Sequence, residues 1–417
     1  MTGPVALLTA CVLLITTCAA TCGIVGMVDL GPDETGDRIA VHKDGEVSYL
    51  PAERVDLGEK AVGGGICRYI RRAKNGDLYI VGTRLSGILC STDAGHRWTS
   101  MPFKIENVAF ISAFTILRDD TFLIAFMPKS GGYKQIHIAR SADHGSTWTV
   151  SRMNGDISPY RYIIMDNGDL LELADGSILA TCNLRYHLGP IKNVEKLPME
   201  MRGFFGYTYR STDGGRTWPQ RAMHAVHGVE THLLQLPTGK VLACVRKQRG
   251  HRLPGDPEST FGLKLQHGYR PQFDSEERRS ENDEDTNRIK NMFVTESSDG
   301  GRTWINERQV SSFLQCSGDL TLTRDGVLLL AFHHRFVDDI AGDGVRMMVS
   351  YDLGKTWEKD SYIIGQGTEQ FDTAVCYPSS IATNDGGVIT VCANHVGGDV
   401  ARLEAVHWRP LPAAGGQ

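Results

Sequence analysis

Helical periodicity is almost absent from this chain, which argues against an α or α/β fold. Beyond residue 22 no stretch reaches the ~18 apolar residues of a membrane helix, so no span is expected in the mature chain. The net charge of −5 leaves no basic footprint for nucleic acid. Ten cysteines contain no C-x-x-C pair. Cys11, Cys18 and Cys22 crowd the start; Cys67, Cys90, Cys182, Cys244, Cys316, Cys376 and Cys392 are scattered, so neither a zinc site nor a disulfide framework is indicated. No dinucleotide fingerprint, P-loop, H-E-x-x-H or nucleophile elbow occurs, and His333-His334 lacks partners at ligand spacing and reads as a strand end. No metal or cofactor is called for.

Residues 1–22 hold no Lys, Arg, Asp or Glu, and Val5 to Ile15 is almost continuously apolar before Cys18-Ala19-Ala20-Thr21-Cys22. That is the pattern of a signal peptide or lipoprotein leader, although its start lacks the usual positive charge. A buried first strand is the alternative. The leader predicts a secreted or extracytoplasmic protein. Residues 23–417 then read as one domain, expected to be a monomer.

Rare tryptophan is placed with regularity. Five of the six close a copy of S-x-D-x-G-x-T-W, beginning at Ser91, Ser141, Ser211, Ser297 and Ser350. Only the first copy departs, with Arg97 for Thr. The Asp accepts local backbone N–H groups, the Gly takes a left-handed turn, and Thr-Trp starts a strand whose indole plugs the gap between units. Five equivalent copies suit a fold better than a catalytic or metal site.

A second repeat alternates with the first. Asn75-Gly76, Asp119-Asp120, Asp175-Gly176, Thr238-Gly239, Asp325-Gly326 and Asp385-Gly386 each precede an apolar run, which is a two-residue hairpin signal. One unit is strand, tight turn, strand, variable loop, strand, box turn, strand. Six such units predict an all-β, six-bladed β-propeller. The last unit has no box, so its outer strands are expected from Arg402–Trp408 and from Ile24–Leu30. Insertions fall near 186–205 and 247–290, the second dense in both charge signs.

Tight turns and box turns share one side of such a ring. Ligand therefore belongs on the other, where first strands begin and second strands end. That position selects Arg68, Arg84, Asp166, Asp169, Arg185, Glu230, Arg246, Arg335 and Tyr377. Several guanidinium forks around one depression suit a carboxylate or sulfate.

At these residues the chain resembles the sialidase (neuraminidase) superfamily, in particular bacterial exo-sialidase-like proteins with Asp-box repeats, over about residues 60–395. Cys67-Arg68-Tyr69-Ile70 is similar to the family's Arg-Ile-Pro motif, with Ile70 in place of Pro. The resemblance makes Arg68, Arg246 and Arg335 the carboxylate-binding arginines, with Arg346 the alternative for the third. It makes Tyr377, in Tyr377-Pro378-Ser379-Ser380, the nucleophile and Glu230 its base. A neutral phenol suits a substrate that carries a carboxylate on its anomeric carbon, because a carboxylate nucleophile would be repelled. The family's acid/base Asp has no counterpart in Thr83–Gly87, leaving Asp166, Asp169 or Asp372 as stand-ins. The resemblance implies a secreted exo-glycosidase acting on a terminal acidic sugar of a glycan. A catalytically inactive glycan-binding propeller and a different carbohydrate hydrolase or lyase on the same scaffold are the alternatives.

Overall fold

A computed structural model describes residues 28–61, 68–82, 87–186, 204–249, 289–311, 315–334, 344–366, 377–395 and 401–412. The proposed leader, the greater part of both insertions, and Arg84, Arg335 and Asp372 lie outside these residues.

Among the described residues the first strands are a hairpin of β1 (Arg38–Lys43) and β2 (Glu46–Ala61). Four separate antiparallel sheets follow. The first holds β3 (Arg68–Arg72), β4 (Leu78–Gly82), β5 (Gly87–Ser91) and β6 (Thr99–Pro102). Next come β7 (Val108–Ile116), β8 (Phe122–Pro128), β9 (His137–Ser141) and β10 (Thr149–Arg152). In the third, β11 (Tyr162–Ile164) and β12 (Leu170–Glu172) both pair with β13 (Ile178–Arg185), followed by β14 (Phe205–Ser211) and β15 (Gln220–Val226). The fourth holds β16 (Gly228–Gln235), β17 (Val241–Arg249), β18 (Ile289–Ser297) and β19 (Ile305–Gln309).

The remaining strands are β20 (Gln315–Leu322), β21 (Leu328–His334), β22 (Gly344–Ser350), β23 (Glu358–Gln366), β24 (Ser379–Ala382), β25 (Val388–His395) and β26 (Ala401–Trp408). They join the opening hairpin in one nine-stranded sheet, ordered β20-β21-β22-β23-β1-β2-β26-β25-β24. The architecture is all-β and propeller-like, with a 3₁₀ turn at Gly132–Lys134 as the one helical element among the described residues. The first strands touch in succession, β3 to β7, β7 to β12, β12 to β16, β16 to β20, β20 to β24, and β24 back to β3.

Two expectations about strand pairing need correction here. Hydrogen bonding yields five sheets, because β1 stitches the last two meanders together. The strand that closes on β26 is β2, not Ile24–Leu30. Val28 and Leu30 instead pack as a small cluster with Ala40 and Ile363.

The boxes fold as their chemistry requires. In the third copy Ser211 Oγ donates to Asp213 Oδ1 at 2.7 Å and accepts the Gly215 N–H at 2.9 Å. Asp213 then takes the Thr217 N–H at 2.9 Å and its hydroxyl at 2.6 Å. The residues on either side of the turn's apex, Gly214 and Gly215, have φ of 73° and 82°, as do Leu353 and Gly354 in the last copy at 59° and 87°. The indoles then fill interfaces between successive sheets. Trp304 packs with Leu173 and Leu179 of the third sheet and Leu233 and Val241 of the fourth. The last meander lacks a box, and Trp408 fills that place among Leu329 and Val388. The tight turns have three residues between the closing pair rather than two. Ala73 N–H donates to Asp77 O and Gly76 N–H returns to Ala73 O, with Gly76 at φ 97°.

Although partial burial opposes it, the Thr217 and Ser211 hydrogen bonds hold Asp213 down at about 2. A depressed carboxylate contributes stability above its unfolded value near 3.9, and that contribution is lost as pH falls through about 2. Asp213→Asn is therefore expected to lower stability by about 1 kcal/mol at pH 7. In urea titrations the gap to the parent closes as pH approaches 2.

Candidate active site

The first strands meet around an axis held by side chains. His232 of β16 places Nε2 at 2.8 Å from Asp319 Oδ1 and 3.3 Å from Asp169 Oδ2. Arg71 of β3 reaches Asp169 Oδ1 at 3.0 Å. Leu170 and Leu233 N–H groups also donate to Asp169, and the Ser380 N–H donates to Asp319 at 2.7 Å. Tyr69 Oη donates to the Ser112 and Gly168 carbonyls. One connected network thus ties the sheets together at the hub.

Burial lowers the pKa of His232, but Asp169 and Asp319 outweigh it and raise it overall. Those charges favour the imidazolium. The Leu320 N–H, however, donates to Nδ1 at 3.0 Å, and protonating Nδ1 would set two donors against each other. The amide contact decides for the neutral form with its proton on Nε2, shared between the carboxylates.

Beside this hub lies a small depression lined by Tyr69, Asn167, Glu230, His232, Ser317, Asp319 and Tyr377. Glu230 is its centre. Its Oε1 accepts the Tyr377 hydroxyl at 2.9 Å and pairs with Arg246 Nη2 at 2.7 Å. Its Oε2 accepts the Ser317 hydroxyl at 3.0 Å. Residues 147 apart in the chain therefore meet at hydrogen-bond distance.

The backbone here is strained in a regular way. Asn167, Glu230, Ser317 and Tyr377 have φ of 47°, 47°, 61° and 61°. Each stands in the left-handed region that non-glycine residues avoid, at a cost of about 1–3 kcal/mol apiece. Register shifts at Val229/Thr231 and Cys316/Asp319 mark the bulges that lift Glu230 and Ser317 out of their ladders. Outliers that converge on one depression make it the candidate functional site.

Asp166, half-buried after β11, is part of the same electrostatic unit. Burial raises its carboxyl above the usual range and the Glu230 charge adds to this, while Arg246, Arg185 and Lys290 pull it down. Arg185, at the end of β13, is pushed down to about 10 by burial and stacks at 4.0 Å on Phe204.

No family model matches the chain, and no curated protein matches its sequence. Its backbone does match solved structures. A protein of unknown function from Dyadobacter fermentans has 16% identity and a TM-score of 0.58, over 86% of this chain and 98% of that one. A Hadza microbial sialidase has 14% identity and a TM-score of 0.53, over 82% of this chain and 65% of that one. An α-L-arabinofuranosidase from Fusarium graminearum has 12% identity and a TM-score of 0.54, over 85% of this chain and 96% of that one. The chain has the fold of propeller glycosidases. At such identities the likeness speaks for the fold alone, and the chain spans just under two thirds of the sialidase's length.

On that glycosidase-like fold, the residues singled out from the sequence divide. Glu230, Tyr377 and Arg246 come together as described. Arg68 is the first residue of β3, but its side chain and Arg335 lie outside the described residues. Arg346 is a buried member of β22, opposite Phe332. Asp169 is no free acid, since both its oxygens are bound at the axis. Arg71, His232, Ser317, Asp319 and Asn167 were not anticipated. Four of them open or belong to first strands, and the fifth, Asn167, sits in the turn before β12. The same positional filter that found Glu230 reaches Cys316-Ser317-Gly318-Asp319, but nothing local marks those types as special.

Removing the imidazole leaves Asp169 with Arg71 and takes from Asp319 the imidazole N–H that it accepts. His232→Ala is expected to destabilise the fold by about 3–5 kcal/mol in urea titration, as when a buried charge is left without its partner.

Proposed function

We propose that this chain is a secreted, monomeric, six-bladed propeller glycosidase of sialidase-like type that removes a terminal acidic sugar from a glycan. The observation that carries the reading is the 2.9 Å contact between the Tyr377 hydroxyl and Glu230 Oε1 at the strained mouth of the hub. Six blades are supported by the closed succession of first strands from β3 round to β24, with β1 as the stitch between the last two.

In this reading Tyr377 Oη attacks the anomeric carbon and passes its proton to Glu230 Oε1. A phenol near pKa 10 does not release that proton unaided. Arg246 and Ser317 hold the carboxylate in place. The resemblance gives the substrate carboxylate to Arg68, Arg246 and Arg335; because Arg246 already pairs with Glu230, it falls chiefly to Arg68 and Arg335. Asp166 is the general acid. Its raised pKa keeps a proton ready for the leaving oxygen as the glycosidic bond breaks. Water then attacks the anomeric carbon of the glycosyl-tyrosine. It loses a proton to Asp166, while Glu230 returns its own to the phenolate.

The arabinofuranosidase match, which covers 96% of that chain, favours a second reading. There Glu230 is the nucleophile on a neutral sugar, and Tyr377 is only its hydrogen-bond donor.

Turnover of a 4-methylumbelliferyl α-sialoside and a 4-nitrophenyl α-L-arabinofuranoside separates the two. The sialidase reading expects Tyr377→Phe to abolish sialoside cleavage, by more than about 10³-fold. The second expects arabinofuranoside cleavage that tolerates Tyr377→Phe and not Glu230→Gln. Glycan binding without turnover of either substrate sinks both and leaves a binding propeller.

Asp166→Asn is expected to cost about 10²–10⁴-fold on natural glycosides with poor leaving groups and far less on activated aryl glycosides. The acid works protonated, so parent activity falls as pH rises through the raised Asp166 value. That alkaline limb is expected to disappear from the Asp166→Asn profile.

A further inference from the structure

Asn167 stands between Asp166 and the hub, and neither the fold nor the proton-transfer chemistry above uses its side chain. It lines the same depression as Glu230, Ser317 and Tyr377. It is only 9% exposed, and its Oδ1 is buried without a protein hydrogen-bond partner among the described residues. Most buried polar atoms in folded proteins are satisfied, so an acceptor left bare in a depression needs a reason.

Its backbone shows that the position is imposed. Asn167 has φ of 47°, and the residue after it is pinned from both sides. Gly168 N–H donates to Ser112 O at 2.9 Å, and Gly168 O accepts the Tyr69 hydroxyl at 3.2 Å. A Cβ at Gly168 would meet Thr181 O at 2.6 Å and Met165 Cγ at 2.5 Å. Two residues on, Asp169 is clamped by Arg71 and His232. These contacts fix the backbone of the turn on which Asn167 sits. Packing, hydrogen bonds and strain all hold this residue, with its unpartnered amide oxygen, in the lining of the depression.

We propose that Asn167 is a specificity-determining residue whose buried amide accepts a hydrogen bond from one hydroxyl or acylamino N–H of the bound sugar. The inference rests on the glycosidase reading and adds the means of selection. A site built around a buried hydrogen-bonding group rejects an analogue that lacks the matching donor, because the group is then left unpaired in the complex.

The test uses Asn167→Gly in the full chain. Glycine accepts the left-handed backbone, so the change removes the amide without adding strain. Parent and variant are compared on the sialoside and the arabinofuranoside, and on analogues of each lacking one hydroxyl or the acylamino group. Melting temperatures are taken in parallel. The expected result has three parts. The variant loses about 10–100-fold in kcat/KM on the better substrate. One analogue costs the parent a similar factor and costs the variant nothing further. The melting temperature holds or rises, since a frustrated buried group has gone. A variant as active as the parent and equally selective across the analogues overturns the assignment. So does a fall in melting temperature with a uniform activity loss, which would make the amide structural. A parent that binds and cleaves no member of the set removes the glycosidase reading and this inference together.

Discussion

The bridge from Asp169 through His232 to Asp319 is the constraint on which the rest of this molecule depends. It joins three different sheets at their first strands; Arg71 brings in a fourth, and the Ser380 amide adds a second first strand of the nine-stranded sheet. Short strands that merely touch at a hub can slide along one another. Carboxylates bound by an imidazole, a guanidinium and backbone amides cannot, because each shift would leave a buried charge unpaired. The network therefore sets the relative height of the strands, and with it where Glu230 and Tyr377 stand.

The depression above that bridge is assembled from positions where the strands break their own rules. Asn167, Glu230, Ser317 and Tyr377 take left-handed backbone, and bulges bring Glu230 and Ser317 out of the ladder. The ring tolerates this strain because its stability is laid down elsewhere. Box turns with their hydrogen-bonded aspartates and the indoles between sheets hold the opposite face. Separating these two faces lets a rigid scaffold carry a strained centre.

Much of the scaffold was legible because its signals are local. An Asp two residues before a Gly and four before Thr-Trp folds by contacts within eight residues, whatever surrounds it. The site was legible only in part. Position relative to the repeats singled out Glu230, Arg246 and Tyr377, since first strands begin and second strands end on the same side in every unit. His232, Asp319 and Arg71 escaped notice because nothing in their neighbours' identities shows that they will share a proton or a charge. Asp169 stood among possible acids for the same reason, and only its bound oxygens removed it.

The sequence by itself determined the repeat: five boxes, six hairpins, an all-β chain whose short turns lie on one side. Those are consequences of turn chemistry and strand alternation, which act over a few residues. Tertiary structure alone decided that β2 rather than the residues before it closes on β26, and that β1 fuses the last meanders into one sheet. It also decided that a phenol and a carboxylate 147 residues apart share a hydrogen bond. Such pairings depend on how blades pack around an axis, and no stretch of chain carries that geometry until the ring has closed.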